Sequence, residues 1–187
     1  MARPETIRSM LSEGNGRISV GRAEQVAALV LAQPKKASRL MECLWDQDPG
    51  VVNRAAHALE RFTRDGLPVA MAMVNSWKTS LLGLLCEASE NKLRWHLALI
   101  VPRLALDLPE CHRAADALQC WLEDRSSSIV KTMAMQGLAD LSRRDPSLLP
   151  MVLDLLRIHS RSGTPAMRAR GRLLLQGLEN RHEKEVR

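Results

Sequence analysis

The sequence predicts an all-α chain of about ten helices in antiparallel pairs, and three observations carry that prediction. Leu, Ala, Arg, Glu and Met abound, Tyr is absent and Phe occurs once, a mixture that favours helix and disfavours strand. Apolar residues recur at helical spacing along nearly the whole chain. Turn and capping residues such as Gly14-Asn15-Gly16, Gln33-Pro34, Asp48-Pro49 and Asp65-Gly66-Leu67-Pro68 divide the runs into helix-sized pieces. With 187 residues, 45% of them hydrophobic, the chain can bury a core.

In order, the first helix is predicted over Pro4–Glu13, with Ile7, Met10 and Leu11 on one side, and a second over Arg17–Ala32, with Ala23, Val26, Ala27 and Val30 inward. A third spans Lys35–Gln47, apolar at Leu40, Met41, Leu44 and Trp45. Asp48 then caps a helix with Pro49 in its first turn, running through Phe62. Gly66 suits a left-handed helix terminus. The run Pro68–Ala88 is long and is expected to break near Asn75-Ser76, and Pro102 should kink or end the helix of Glu90–Leu106. Pro109–Asp124, Ser126–Arg143, Pro146–Ser160 and Pro165–Asn180 follow, before a polar tail at 181–187. Ser126-Ser127-Ser128 reads as a capping run. With no Gly-, Pro- or Ser-rich linker, residues 1–187 are expected to form one continuous unit.

The stretch Asp46–Phe62 also sets a repeat. From Val51, the inward positions plus four, seven, eight and eleven are Ala55, Ala58, Leu59 and Phe62. The same pattern gives Leu97, Ile100, Val101 and Leu104 from Leu93, and Ala134, Gly137, Leu138 and Leu141 from Val130. From Met167 it gives Gly171, Leu174, Leu175 and Leu178. A basic residue follows the anchor in three of the four, as Arg94, Lys131 and Arg168, while the Val51 repeat has Val52 there. The anchors are separated by 42, 37 and 37 residues. With its Asp, its paired alanines and its Ala-Leu, Asp46–Phe62 resembles the second helix of a HEAT repeat, and the spacings lie in or near that family's range of about 40–47 residues. A looser match from Ser19 makes residues 1–33 a weak first repeat.

That resemblance to HEAT-like, armadillo-type repeats implies a right-handed α-solenoid whose second helices line a concave face. Plus five is Ala56, Ala98 and Met135 in three repeats but Arg172 in the last, which marks an exposed capping end. Outward positions plus two, three, six and ten bring Arg54, His57, Arg61, Trp95, His96 and Arg103 onto the proposed concave face. Arg gives bidentate hydrogen bonds to carboxylate or phosphate, and Trp gives a stacking surface. Trp45, Trp77 and Trp121, at apolar spacings on first helices, are expected in the core, and Met71, Met73, Met133 and Met135 read as packing.

The net charge of +6 divides as +4 over residues 1–39, −3 over 40–142 and +5 over 143–187. A nucleic acid gripped along the full length would more simply call for a chain basic throughout, so the two basic ends read as solvated, and the partner expected at the concave face is a protein or an acidic peptide. Cys43, Cys86, Cys111 and Cys120 lack Cys-x-x-Cys spacing, so no metal or other cofactor is expected, and a reducing cytoplasm is. The first ten residues are polar and charged, unlike a signal peptide, and no apolar run is long enough for a membrane span. No phosphate-cradling loop or nucleophile elbow occurs. Asp46 and Asp48 read as structural, since acids in this loop of HEAT repeats commonly pair with a basic residue of the neighbouring repeat.

The leading expectation is a non-enzymatic interaction scaffold that binds a protein or peptide on its concave helical face. The alternative is nucleic-acid binding, as in the HEAT-like alkylpurine DNA glycosylases, which look to need aromatic residues and an Asp around an extruded nucleotide. Only Trp95 and Asp140 of the proposed face match that need. The HEAT-type bilin lyases share only the fold with this chain, and fold does not imply function. The identity of the partner and the oligomeric state stay open.

Overall fold

The computed structural model describes residues 5–14, 19–65 and 67–185, with side chains described through Asn180. Pro4, Asn15-Gly16, Arg17, Gly66 and the side chains of 181–187 therefore lie outside the described residues. Eleven α-helices and no strand are described: α1 (Ile7–Ser12), α2 (Ala23–Ala32), α3 (Ala37–Glu42), α4 (Pro49–Arg64), α5 (Pro68–Asn75), α6 (Lys78–Glu87), α7 (Asn91–Ile100), α8 (Leu108–Glu123), α9 (Ser128–Ser142), α10 (Leu149–Ser162) and α11 (Pro165–Glu185). Short 3₁₀ turns sit at Pro34–Lys36, Cys43–Trp45, Val101–Arg103 and Pro146–Leu148.

Local chemistry accounts for the boundaries. Asp48 accepts from the Gly50 N–H at 2.7 Å, with Pro49 at the first helical position of α4. Asp107 and Glu110 form a reciprocal capping box at α8, and Ser127 accepts from the Val130 N–H at α9. The run from Pro68 breaks between Asn75 and Lys78, and Pro102 ends α7 in a 3₁₀ turn, both as the sequence predicts. The last helix continues to Glu185, five residues past the predicted end.

The chain packs as two compact units, Met1–Leu81 and Leu82–Arg187. In the first, α4 is the central helix and packs against α1, α2, α3 and α5. Its inward side chains Val51, Ala55, Ala58, Leu59 and Phe62 are buried, as are Ala23, Val26, Ala27 and Val30 of α2. In the second, α9 packs between α7 and α11 and also against α8 and α10. Every inward position of the Leu93 and Val130 repeats is buried. In the last repeat only Leu175 is half-buried, while Met167, Gly171, Leu174 and Leu178 are buried. Ala56, Ala98 and Met135 are fully covered, and Arg172 at the same position is exposed.

One tryptophan expectation holds and two do not. Trp121 is buried beneath Arg94, whose guanidinium lies 5.2 Å from the ring centre. Trp45 is 47% exposed and stacks on half-buried Trp77 at 6.2 Å between ring centres. The physical reason is the 3₁₀ turn at Cys43–Trp45, which rotates Trp45 off the face that carries Leu40, Met41 and Leu44. No single described helix is long and apolar enough to cross a membrane.

Candidate functional site

Of the six residues expected on the concave face, Arg54, His57 and Arg61 lie on α4 in the first unit. Trp95, His96 and Arg103 lie on or just after α7 in the second. Each trio is described within its own unit.

Arg54 is a correction. It is only 4% exposed, and its Nε donates to the carbonyl of Leu11 at the end of α1. Three glycines surround the side chain: a Cβ at Gly14, Gly21 or Gly50 would come within 2.8–3.0 Å of it. Gly21 also has φ +49, the left-handed backbone that favours glycine. His96 needs the same correction, being 3% exposed with its ring stacked on Trp95. Both occupy the plus-three position. At 100° per residue, plus three lies only about a quarter turn from the inward direction, so a neighbouring element covers it. In the first unit α1 is such a neighbour. The stripe that stays partly exposed is that of plus six and plus ten; plus ten points within about 20° of plus three but lies two turns further along, so its exposure is set by position along the helix and not by angle.

His57 and Arg61 sit on that stripe, half-buried, and both reach Glu24 of α2. His57 Nε2 lies 3.1 Å from one carboxylate oxygen, and Arg61 Nε donates to the other at 2.8 Å. Burial pushes the Glu24 carboxyl up, but the hydrogen bonds from Arg61 and His57 outweigh it and hold the group below its usual value. An internal carboxylate thus takes the position an acidic ligand would occupy. Arg54, His57 and Arg61 do not form an open anion site.

In the second unit Trp95 and Arg103 are half-buried. The other outward side chains of this unit are mostly apolar or already engaged. Leu99 and Met133 are half-buried and Leu173 is 66% exposed. Arg170 donates to Gln136 at 3.1 Å, Gln136 donates to Asp140, and Arg143 also donates to Asp140.

The loop acids behave as structural ion-pair partners. Asp46 receives both Nε and Nη2 of Arg8, at 2.6 and 3.1 Å, and accepts from the Asp48 N–H. The Arg8 hydrogen bond is the main reason its carboxyl lies below the usual range. Asp124 precedes α9 as Asp46 precedes α4, and it receives Arg94 at 2.7 Å, the basic residue just after the Leu93 anchor. Asp46 and Asp48 therefore do not form a shared-proton carboxylate pair. A cavity of about 650 Å³ beside Asp46 is bordered by Glu5, Arg8, Lys36, Arg39 and Glu42. Its basic and acidic side chains balance, with Arg39 paired to Glu42.

One constellation escaped sequence reading. His112, Asp145 and Ser147 meet in space, with His112 Nε2 3.0 Å from Asp145 Oδ2 and 3.2 Å from Ser147 Oγ. A nucleophilic triad needs the serine on one imidazole nitrogen and the acid on the other. Here both face Nε2, and Ser147 Oγ donates to Asp145 at 2.7 Å. Asp145 also accepts from the Ser147 N–H at the start of a 3₁₀ turn, so the group is a cap with a histidine attached. Residues 112, 145 and 147 are too far apart in sequence for spacing to reveal it.

Among the described residues, no three His, Cys, Asp or Glu side chains are grouped to hold a metal ion. Cys111 is buried and Cys120 exposed, and burial raises the Cys111 thiol above its usual value. Comparison of the chain with family models, curated proteins and solved structures finds no match to any of them.

Proposed function

We propose that this chain is a non-enzymatic interaction scaffold. In this reading it is a short right-handed α-solenoid of HEAT-like helix pairs that binds a protein or peptide segment on the face of its second helices. The observation that carries the reading is the layer of α7, α9 and α11 in the second unit, with α9 in contact with both neighbours. Stacked repeats use such layers as extended binding surfaces. Trp95, Leu99, Met133 and Leu173, at the outward positions of that layer, keep apolar surface accessible and suit contact with a partner side chain.

The arginines weigh against the nucleic-acid alternative. Arg61, Arg94 and Arg143 each bind a carboxylate of the chain itself, which reduces the charge available to displace counterions from a phosphate backbone. The reading sets the protein in the reducing cytoplasm, with its cysteines as thiols.

The test is affinity capture from native lysate using the full chain and a Leu99→Asp/Leu173→Asp variant, each with and without nuclease. The scaffold reading expects a defined partner that survives nuclease and is lost with the variant. Partners removed by nuclease would favour nucleic-acid binding. Partners retained by the variant would exclude this face.

A further inference from the structure

Where α9 begins, beside the end of α10 and the start of α11, the second unit has a cavity of about 380 Å³. Ser126, Ser128, Lys131, His159, Ser162 and Thr164 line it, and no carboxylate does. Its size falls at the lower end of the roughly 300–1,000 Å³ of small-ligand sites. We infer that this cavity binds the phosphoryl group of a phosphomonoester, held between the Lys131 ammonium and the His159 imidazolium.

Lys131 Nζ donates one N–H to the Leu122 carbonyl at 2.7 Å, which fixes the side chain at the cavity wall. An ammonium has three donors, so this bond leaves two for a ligand. His159 is half-buried, and among the described residues its ring hydrogen-bonds to no protein group. A side chain that can be imidazolium thus sits beside a fixed cation in a cavity whose lining carries no carboxylate. Burial, then the charge of Lys131, holds His159 below its usual value, and the opposing pull of Glu123 is weaker. A doubly charged anion between the two cations would remove that repulsion and favour the protonated ring.

Two acids lie near the cavity without lining it: Asp124 accepts from the Ser126 N–H and is paired with Arg94, and Glu123 acts on His159 through its charge, more weakly than Lys131. Arg168 on α11 donates to the Gly163 carbonyl at 3.0 Å, and Arg94 on α7 donates to Ser126 Oγ at 2.8 Å. The hydroxyls of Ser128 and Thr164 at the rim supply neutral donors of the kind phosphate oxygens accept. The inference stands apart from the scaffold reading, because it involves none of Trp95, Leu99, Met133 or Leu173.

The test is an NMR pH titration of the full chain labelled at its histidines, in chloride and in inorganic phosphate at matched ionic strength. An O-phosphoserine peptide and its unphosphorylated form make a second pair of arms. His159→Gln identifies the resonance. The expected result is a rise in the apparent pKa of His159 with phosphate that the other histidine resonances do not share. A response to the phosphopeptide alone would identify a phosphorylated side chain as the source of the group, and a response to both, a site for the phosphoryl group itself. Lys131→Met should weaken the effect about tenfold, the factor expected from one lost charge-assisted hydrogen bond. Ser128→Glu, at an exposed first-turn position where a negative charge suits the helix, should abolish it without unfolding the protein. Identical His159 titrations in chloride, phosphate and both peptides would overturn the inference, and so would equal responses from every histidine.

Discussion

Gly137→Ala should destabilise the protein even though it replaces the poorer helix former with the best one. In an open helix interior the change stabilises by about 1 kcal/mol. At Gly137, however, a Cβ would lie 2.5 Å from the Ala98 carbonyl oxygen, 2.8 Å from Leu118 Cδ1 and 3.4 Å from Pro102 Cγ. The first of these is backbone, so it can move only if α7 moves. Pro102 explains the approach, because it has no N–H to donate to the Ala98 carbonyl four residues earlier. That oxygen instead lies against the bare Cα of α9. A clash with backbone puts the overpacking cost in the upper half of the usual range of about 1–3 kcal/mol, about 2–3 kcal/mol, which less the propensity gain leaves a net loss of about 1–2 kcal/mol. For a chain of this size, that lowers the thermal midpoint by roughly 2–8 °C. Gly83→Ala is the matched control: it makes the same change within α6, where a Cβ would meet nothing within 4 Å, and should stabilise by about 0.4–1 kcal/mol. Urea unfolding followed by helical circular dichroism measures both. If the two variants shift stability in the same direction, the close contact of α7 with α9 is wrong.

Two arginines should behave oppositely. Arg54→Met leaves the Leu11 carbonyl without this donor and unfilled space beneath three glycines, a loss of about 2–4 kcal/mol, whereas Arg172→Ala should stay within about 0.5 kcal/mol. Equal losses in urea unfolding would refute both placements. The pH dependence should show two windows. The folded state holds His159 below the ordinary value of 6.5, so its contribution to stability is full above 6.5 and is lost as pH falls through the folded value. His159→Gln should flatten that limb of the curve. Asp46, Asp124 and Asp145 are also held low, so their contribution is present above the ordinary 3.8 and is lost only in stronger acid.

The core was legible because helical periodicity and capping are local. Val51, Leu97, Ala134 and Leu174 could be assigned inward from spacing alone, and Asp48 and Ser127 could be placed as caps from a few neighbouring residues. The outward face was harder to read because exposure depends on what packs beside a helix. Arg54 and His96 have the polarity of surface residues and a position at the margin of the apolar stripe. Covering the Arg54 margin takes α1 and a ring of glycines contributed by Gly14, Gly21 and Gly50, which no single-helix pattern contains. Trp45 fails in the opposite sense, since one 3₁₀ turn moves an apolar side chain from the core to the surface.

Charge in this protein works first as architecture, and that limits what the basic residues can recognise. The acid before α4 holds an arginine from α1, and the acid before α9 holds the arginine just after the Leu93 anchor. Glu24 similarly ties α2 to α4 through His57 and Arg61. A ligand carboxylate arriving at any of these pairs would have to displace an internal one already in hydrogen-bonding geometry. Its net gain would be the difference between two similar interactions, less the cost of binding. Sites where cations lack such a competitor are therefore better candidates for anion recognition than sites with more arginines. The cavity of Lys131 and His159 meets that criterion, since no carboxylate lines it. Under the scaffold reading proposed above, recognition on the faces rich in paired arginines would come mainly from apolar contact, for which Leu173 is exposed and Trp95 half-buried.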